Sequence, residues 1–137
     1  MDFIKIEYSD VFKRHIRDNC SSAQMCILAS FLTTEVWCFG KKQFKDWAVA
    51  DKEAPNAKFG YGLGCNATYL EQADDGFIYI YDGIGGDPGD PEIPPLKISC
   101  EQFVMLLDEW QKKVLDLNPK SVIIKHENDE FIIETSD

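Results

Sequence analysis

Histidine is scarce in this chain: His15 and His126 are the only two, so the imidazole base that much nucleophilic and zinc chemistry requires is in short supply. His15 stands in the charged stretch KRHIRD and His126 beside a turn, and both read as surface histidines. No H-E-x-x-H, G-x-S-x-G or phosphate-loop lysine pattern occurs. Cys20, Cys26, Cys38, Cys65 and Cys100 fall at wide, irregular gaps, without a C-x-x-C or a Cys/His pairing at metal spacing. They imply a reducing compartment and no cysteine chemistry, and Cys26, inside an apolar run, is expected to pack in the core. The glycine string FGYGLGC has no helix opening after it, so it reads as a turn or bulge and not as a dinucleotide fingerprint. A catalytic set, a metal and a cofactor are therefore not expected.

Long apolar runs are missing too. The longest, Met25 to Leu32, contains Ser30 and is far too short to cross a bilayer. The start, MDFIKIEYSD, lacks the basic residues and apolar run of a secretory signal, which predicts a cytoplasmic protein without a membrane partner. What is present is ample for one core: 45% hydrophobic and 12% aromatic residues in 137 predict a single domain spanning residues 1–137.

Positive charge is the third shortage. Twenty-four acidic against fourteen basic residues leave a net charge of −10, which argues against nucleic acid or an anionic membrane as the direct ligand. The imbalance is concentrated. From Phe59 to Leu96 there is no Lys or Arg, yet Glu71, Asp74, Asp75, Asp82, Asp87, Asp90 and Glu92 lie there. Embedded in foldable sequence, such a stretch creates a local field that attracts a basic partner.

Along the chain, FIKIEY (residues 3–8) alternates in period two with Ile4, Ile6 and Tyr8 on one face, the pattern of a half-buried strand. Val11 to Arg17 reads as one or two helical turns. Ser21 and Gln24 have capping-box spacing before MCILASFL, a helix apolar nearly all round that belongs in the interior against a sheet. Thr33 to Phe39 is either a strand or the end of that helix, and Gly40 stops it either way. Lys41 to Ala50 has helical spacing, and Ala54 to Gly64 reads as an irregular loop.

Ala67 to Gln72 and Phe77 to Asp82 are strand-like and joined by a turn closed at Gly76. Four prolines and four glycines between Gly83 and Pro95 exclude a helix or central strand there. Ser99 with Gln102 repeats the capping spacing, and Phe103, Leu106, Leu107, Trp110, Val114 and Leu117 trace one helix face, stopped by Asn118-Pro119. Ser121 to Lys125 and Glu130 to Thr135 form a closing hairpin. The element order predicts an α+β domain, an antiparallel sheet with helices mainly on one face.

In Phe77-Ile78-Tyr79-Ile80-Tyr81-Asp82, alternation separates Phe77, Tyr79 and Tyr81 from Ile78, Ile80 and Asp82. Either the isoleucines pack inward and the tyrosines stand beside the acids, suited to capture of a basic protein, or the tyrosines pack under a helix. The carboxylates of Asp82, Asp87, Asp90 and Glu92 are hard oxygen ligands, but without EF-hand spacing.

The second half carries a family resemblance: an acidic, aromatic hairpin, the entry EIPPLKIS (Glu92 to Ser99), the helix pattern x-x-F-x-x-L-L-D-E-W ending at Trp110, then NPK and a short hairpin. Over Glu92 to Thr135 it resembles small immunity proteins of bacterial polymorphic-toxin and contact-dependent growth inhibition systems. The resemblance implies a cytoplasmic protein that binds one cognate toxin domain, often a basic nuclease, and covers its active site; it gives Trp110 a structural role. The candidate partner-binding residues are Glu71, Asp74, Asp75, Tyr79, Tyr81, Asp82, Asp87, Asp90 and Glu92. A small carboxylate- or metal-dependent hydrolase using the same loop and a non-toxin adaptor domain are the alternatives.

Overall fold

Period-two patterning and tight turns build the strands of this protein as antiparallel ladders, beside a comparable share of helix. The computed structural model describes residues 2–8, 15–36, 40–49, 62–64, 68–73, 75–82, 86–87, 90–91 and 94–136. In chain order the strands are β1 (Asp2–Tyr8), β2 (His15–Cys20), β3 (Gly62–Gly64), β4 (Thr68–Gln72), β5 (Phe77–Asp82), β6 (Gly86–Asp87), β7 (Asp90–Pro91), β8 (Leu96–Ser99), β9 (Ser121–Glu127) and β10 (Glu130–Ser136). Helix α1 (Ala23–Ser30) continues as a π-helix over Phe31–Val36, α2 is Lys41–Val49, and α3 (Cys100–Trp110) continues as a π-helix over Gln111–Leu115. The architecture is α+β and antiparallel, as the element order predicts, but in place of one sheet the described strands form two four-stranded sheets and the two-stranded β6–β7 ladder.

The first sheet has the order β10-β9-β1-β2. Ile4 lies opposite Ile124 and Ile6 opposite Val122, and Ile133 of β10 is also opposite Ile124. All five are buried, so one face of this sheet is core. Asn128 and Asp129, at φ 53° and 62°, close β9 to β10 with the left-handed backbone that matches strand twist in a two-residue hairpin loop. The helical reading of Val11 to Arg17 is corrected for residues 15–17, which lie in β2; residues 11–14 fall outside the described ones. Pairing of Glu7 with Arg17 and Ile6 with Asp18 satisfies that backbone across β1, and tertiary pairing overrides a weak local pattern.

The second sheet has the order β3-β4-β5-β8. Part of the expected irregular loop is therefore strand: Gly62, Leu63 and Gly64 pair with Glu71, Leu70 and Tyr69. Gly76, at φ +84°, donates its N–H to the Ala73 carbonyl at 3.2 Å and closes the β4–β5 turn. Among the described residues of the Gly/Pro-rich stretch, β6 and β7 form a two-residue ladder.

Helix α1 touches β1 and β2 of one sheet and β5 and β8 of the other, which is why it can be apolar nearly all round. Met25, Ile27, Leu28, Ala29, Phe31 and Leu32 are buried, whereas Cys26 is exposed and the expectation of a core cysteine is corrected. Ala23 and Cys26, three residues apart, are the exposed positions of α1. Of the stretch Thr33 to Phe39, Thr33 to Val36 is helix, not strand, and residues 37–39 lie outside the described ones; Gly40 in the left-handed region (φ +83°) donates back to the Val36 carbonyl at 2.8 Å.

The first capping box does not form. Ser22, not Ser21, caps α1 by accepting from the Met25 N–H; Ser21 Oγ accepts from the Phe3 N–H, and Gln24 donates to the Pro94 carbonyl. Ser99 does cap α3, accepting from the Gln102 N–H at 3.1 Å, while the Gln102 side chain reaches β10 and accepts from the Phe131 N–H. Lys113 donates to the Ile133 carbonyl. Side chains of α3 thus occupy backbone groups along β10, the edge strand of the first sheet.

One continuous core joins both sheets and the three helices. Phe31 meets Phe44 edge-on at 4.9 Å, Phe103 lies 5.7 Å from Phe31, and Trp47 meets Phe103 edge-on at 6.3 Å. Glu35 and Thr68 are the polar side chains buried among the described residues. Among those residues, no single helix is long and apolar enough to cross a membrane.

Candidate functional site

With helices against their inner faces, the two sheets leave their other faces outward, and the outer face of β4, β5 and β8 collects the aromatic and acidic residues. Ile78 and Ile80 are buried at about 1% exposure or less, together with Leu70, Leu96 and Ile98. Of the two readings open for β5, the isoleucines therefore pack inward; alternation sends Phe77, Tyr79 and Tyr81 outward, half-exposed.

Register places Tyr81 opposite Tyr69, Tyr79 opposite Glu71 on one side, and Tyr79 opposite Lys97 on the other. The Tyr69 and Tyr81 rings lie 6.1 Å apart, tilted by 54°. On β3, the residues opposite Glu71 and Tyr69 are Gly62 and Gly64, which add no side chain to that flank.

The two carboxylates of this face differ in their commitments. Asp75 accepts from the Tyr79 hydroxyl at 2.7 Å and from the Phe77 N–H at 3.0 Å, with the Lys97 ammonium 3.9 Å away. The Tyr79 hydroxyl, the Phe77 amide and Lys97 hold Asp75 below the ordinary carboxylate range, and the Tyr79 phenol is correspondingly raised. Glu71 meets only the Tyr81 hydroxyl, at a long 3.4 Å, and no cation pairs with it among the described residues. Burial, then the Glu71 charge, pushes the Tyr81 phenol up. Lys97 Nζ sits 4.2 Å from the Phe77 ring centroid, so one end of the face is already satisfied by an internal cation.

Of the nine candidate residues, the fold brings together Glu71, Asp75, Tyr79 and Tyr81. Asp82 ends β5 on the opposite parity, half-exposed. Asp87 and Asp90 face each other in the β6–β7 ladder, with their side chains outside the described atoms; Asp74 and Glu92 lie outside the described residues. Tyr69, Phe77 and Lys97 join the face without having been singled out as partner-binding. Alternation in Thr68-Tyr69-Leu70-Glu71 signals Tyr69, but only pairing reveals that Lys97, the first base after the acidic stretch, neutralises Asp75.

Chemistry of other kinds finds little support in the side-chain arrangement. Among the described residues no group of three His, Cys, Asp or Glu side chains is placed to hold a metal ion. His126 stacks on Phe131 at 4.2 Å with the planes 5° apart. The Cys100 thiol donates to the Ala48 carbonyl, and burial pushes its pKa up, away from the thiolate that nucleophilic attack requires. Comparison of the chain with protein-family models, with curated proteins and with solved structures finds no match.

Proposed function

We propose that this protein is an immunity protein, a stoichiometric cytoplasmic inhibitor that binds a basic toxin domain through the outer face of its second sheet. The observation that carries the reading is the composition of that face: Tyr69, Tyr79 and Tyr81 stand outward around Glu71 in a chain of net charge −10. Rigid aromatic side chains flanked by carboxylates suit a basic partner, with the tyrosines as anchors and the charges steering encounter. Carboxylates meeting the lysines and arginines of a nuclease would occupy the groups that otherwise hold phosphates. The resemblance of Glu92 to Thr135 to immunity proteins supports the same assignment.

The test is growth protection and binding kinetics with the toxin domain encoded beside this protein. Asp74, Asp82, Asp87, Asp90 and Glu92 are neutralised together, sparing Asp75, which holds the hairpin turn. The expected result is slower association with little change in dissociation, imitated by rising salt, because long-range attraction acts on encounter. Wild-type kinetics in this variant would show that those charges do not steer binding. A neighbouring gene without a toxin domain, or a toxin against which the wild-type protein gives no protection, would overturn the immunity reading.

A further inference from the structure

We propose that Glu71, framed by Tyr69, Tyr79 and Tyr81, is the anchor of this face and receives an arginine side chain of the partner. The inference rests on the partner-binding reading of the sheet and narrows it to one side chain and one chemistry. Asp75 is bonded to Tyr79 and Phe77 and faces Lys97, whereas among the described residues Glu71 has only the long contact to Tyr81. A carboxylate accepts up to about four hydrogen bonds, so the described residues leave most of the capacity of Glu71 unused.

Its surroundings favour a planar cation. Tyr69 precedes Glu71 by two on β4, Tyr79 lies directly across on β5, and Tyr81 lies diagonally. On the fourth side Glu71 lies opposite Gly62 of β3, which adds no side chain of its own. Ring faces attract cations, and a guanidinium can stack on a tyrosine while forking two N–H donors to the carboxylate. A lysine ammonium, more strongly hydrated and without a planar fork, gains less from the same frame. The Lys97 contact with the Phe77 ring shows cation–aromatic packing already used on this sheet face.

The experiment measures binding of oligo-arginine and oligo-lysine peptides of equal length to the full chain by fluorescence anisotropy. Oligo-arginine is expected to bind about three- to tenfold more tightly. Glu71→Gln and, independently, Tyr69→Leu should erase that preference, while Asp75→Asn and Tyr81→Phe should keep it; each variant's melting curve establishes that it is folded. Equal binding of the two peptides, no binding of either, or an arginine preference that survives Glu71→Gln would overturn the anchor. Growth protection by wild type without arginine preference refutes the anchor and leaves the immunity reading standing. Arginine preference without protection does the reverse.

Discussion

Trp110 offers a test of the core in which packing and hydrogen bonding pull in opposite directions. It ends the α-helical part of α3 at 1% exposure, and its indole N–H has no hydrogen-bond partner among the described residues. Trp110→Ala removes a large buried side chain and leaves a cavity, which costs about 3–5 kcal/mol. In a domain of this size a change of 1 kcal/mol moves the melting temperature by about 3–5 °C, so the variant should melt roughly 10–20 °C lower. Trp110→Phe loses part of the ring but also removes the unpaired donor, whose burial costs about 1–3 kcal/mol. The two terms nearly cancel, and Trp110→Phe should stay within about 1 kcal/mol of wild type. Urea titration with the slope checked for constancy, alongside thermal melting, measures both. An unchanged midpoint for Trp110→Ala would remove Trp110 from the core. A loss for Trp110→Phe as large as for Trp110→Ala would show that the indole N–H is bonded.

Two further outcomes follow from the side chains around α3. Lys45 and Lys41 hold Asp108 below the ordinary carboxylate range, so its contribution is present above the unfolded-state value and lost as pH falls through the depressed folded one. Asp108→Asn should cost under about 1 kcal/mol at neutral pH, this being a partly exposed group, and should flatten the acid limb of the stability profile; an unchanged limb would refute the linkage. Replacing Gln102 and Lys113 together by Ala frees the Phe131 N–H and Ile133 carbonyl of edge strand β10, beside exposed Ile132. Concentration-dependent self-association by analytical ultracentrifugation is the expected result, and a monomer at all concentrations would show that these contacts do not guard the edge.

The elements legible in the sequence are those whose signal is local and strong. Alternation in FIKIEY and FIYIYD, the closing hairpin, Gly40 and Gly76 at positive φ, and the helical stripe from Phe103 as far as Val114 appear in the fold, because side-chain period and backbone sterics act over a few residues; the expected last member of that stripe, Leu117, is instead exposed beyond the helix end. Where local preference is weak, pairing decided: His15–Cys20 became a strand against β1, and Gly62–Gly64 one against β4. Exposed Cys26 lies in an apolar run, and only the placement of α1 between two sheets determines which strip of that helix is left uncovered. The candidate site divides the same way. Composition located the acidic, tyrosine-rich segment, whereas antiparallel register decided its flanks: it sets Lys97 opposite Tyr79, within reach of Asp75, and Gly62 opposite Glu71. The contacts of Asp75 with Phe77 and Tyr79 are local, but Lys97 and Gly62 are distant in sequence from the carboxylates they flank and come beside them only through cross-strand pairing, so no local pattern encodes them.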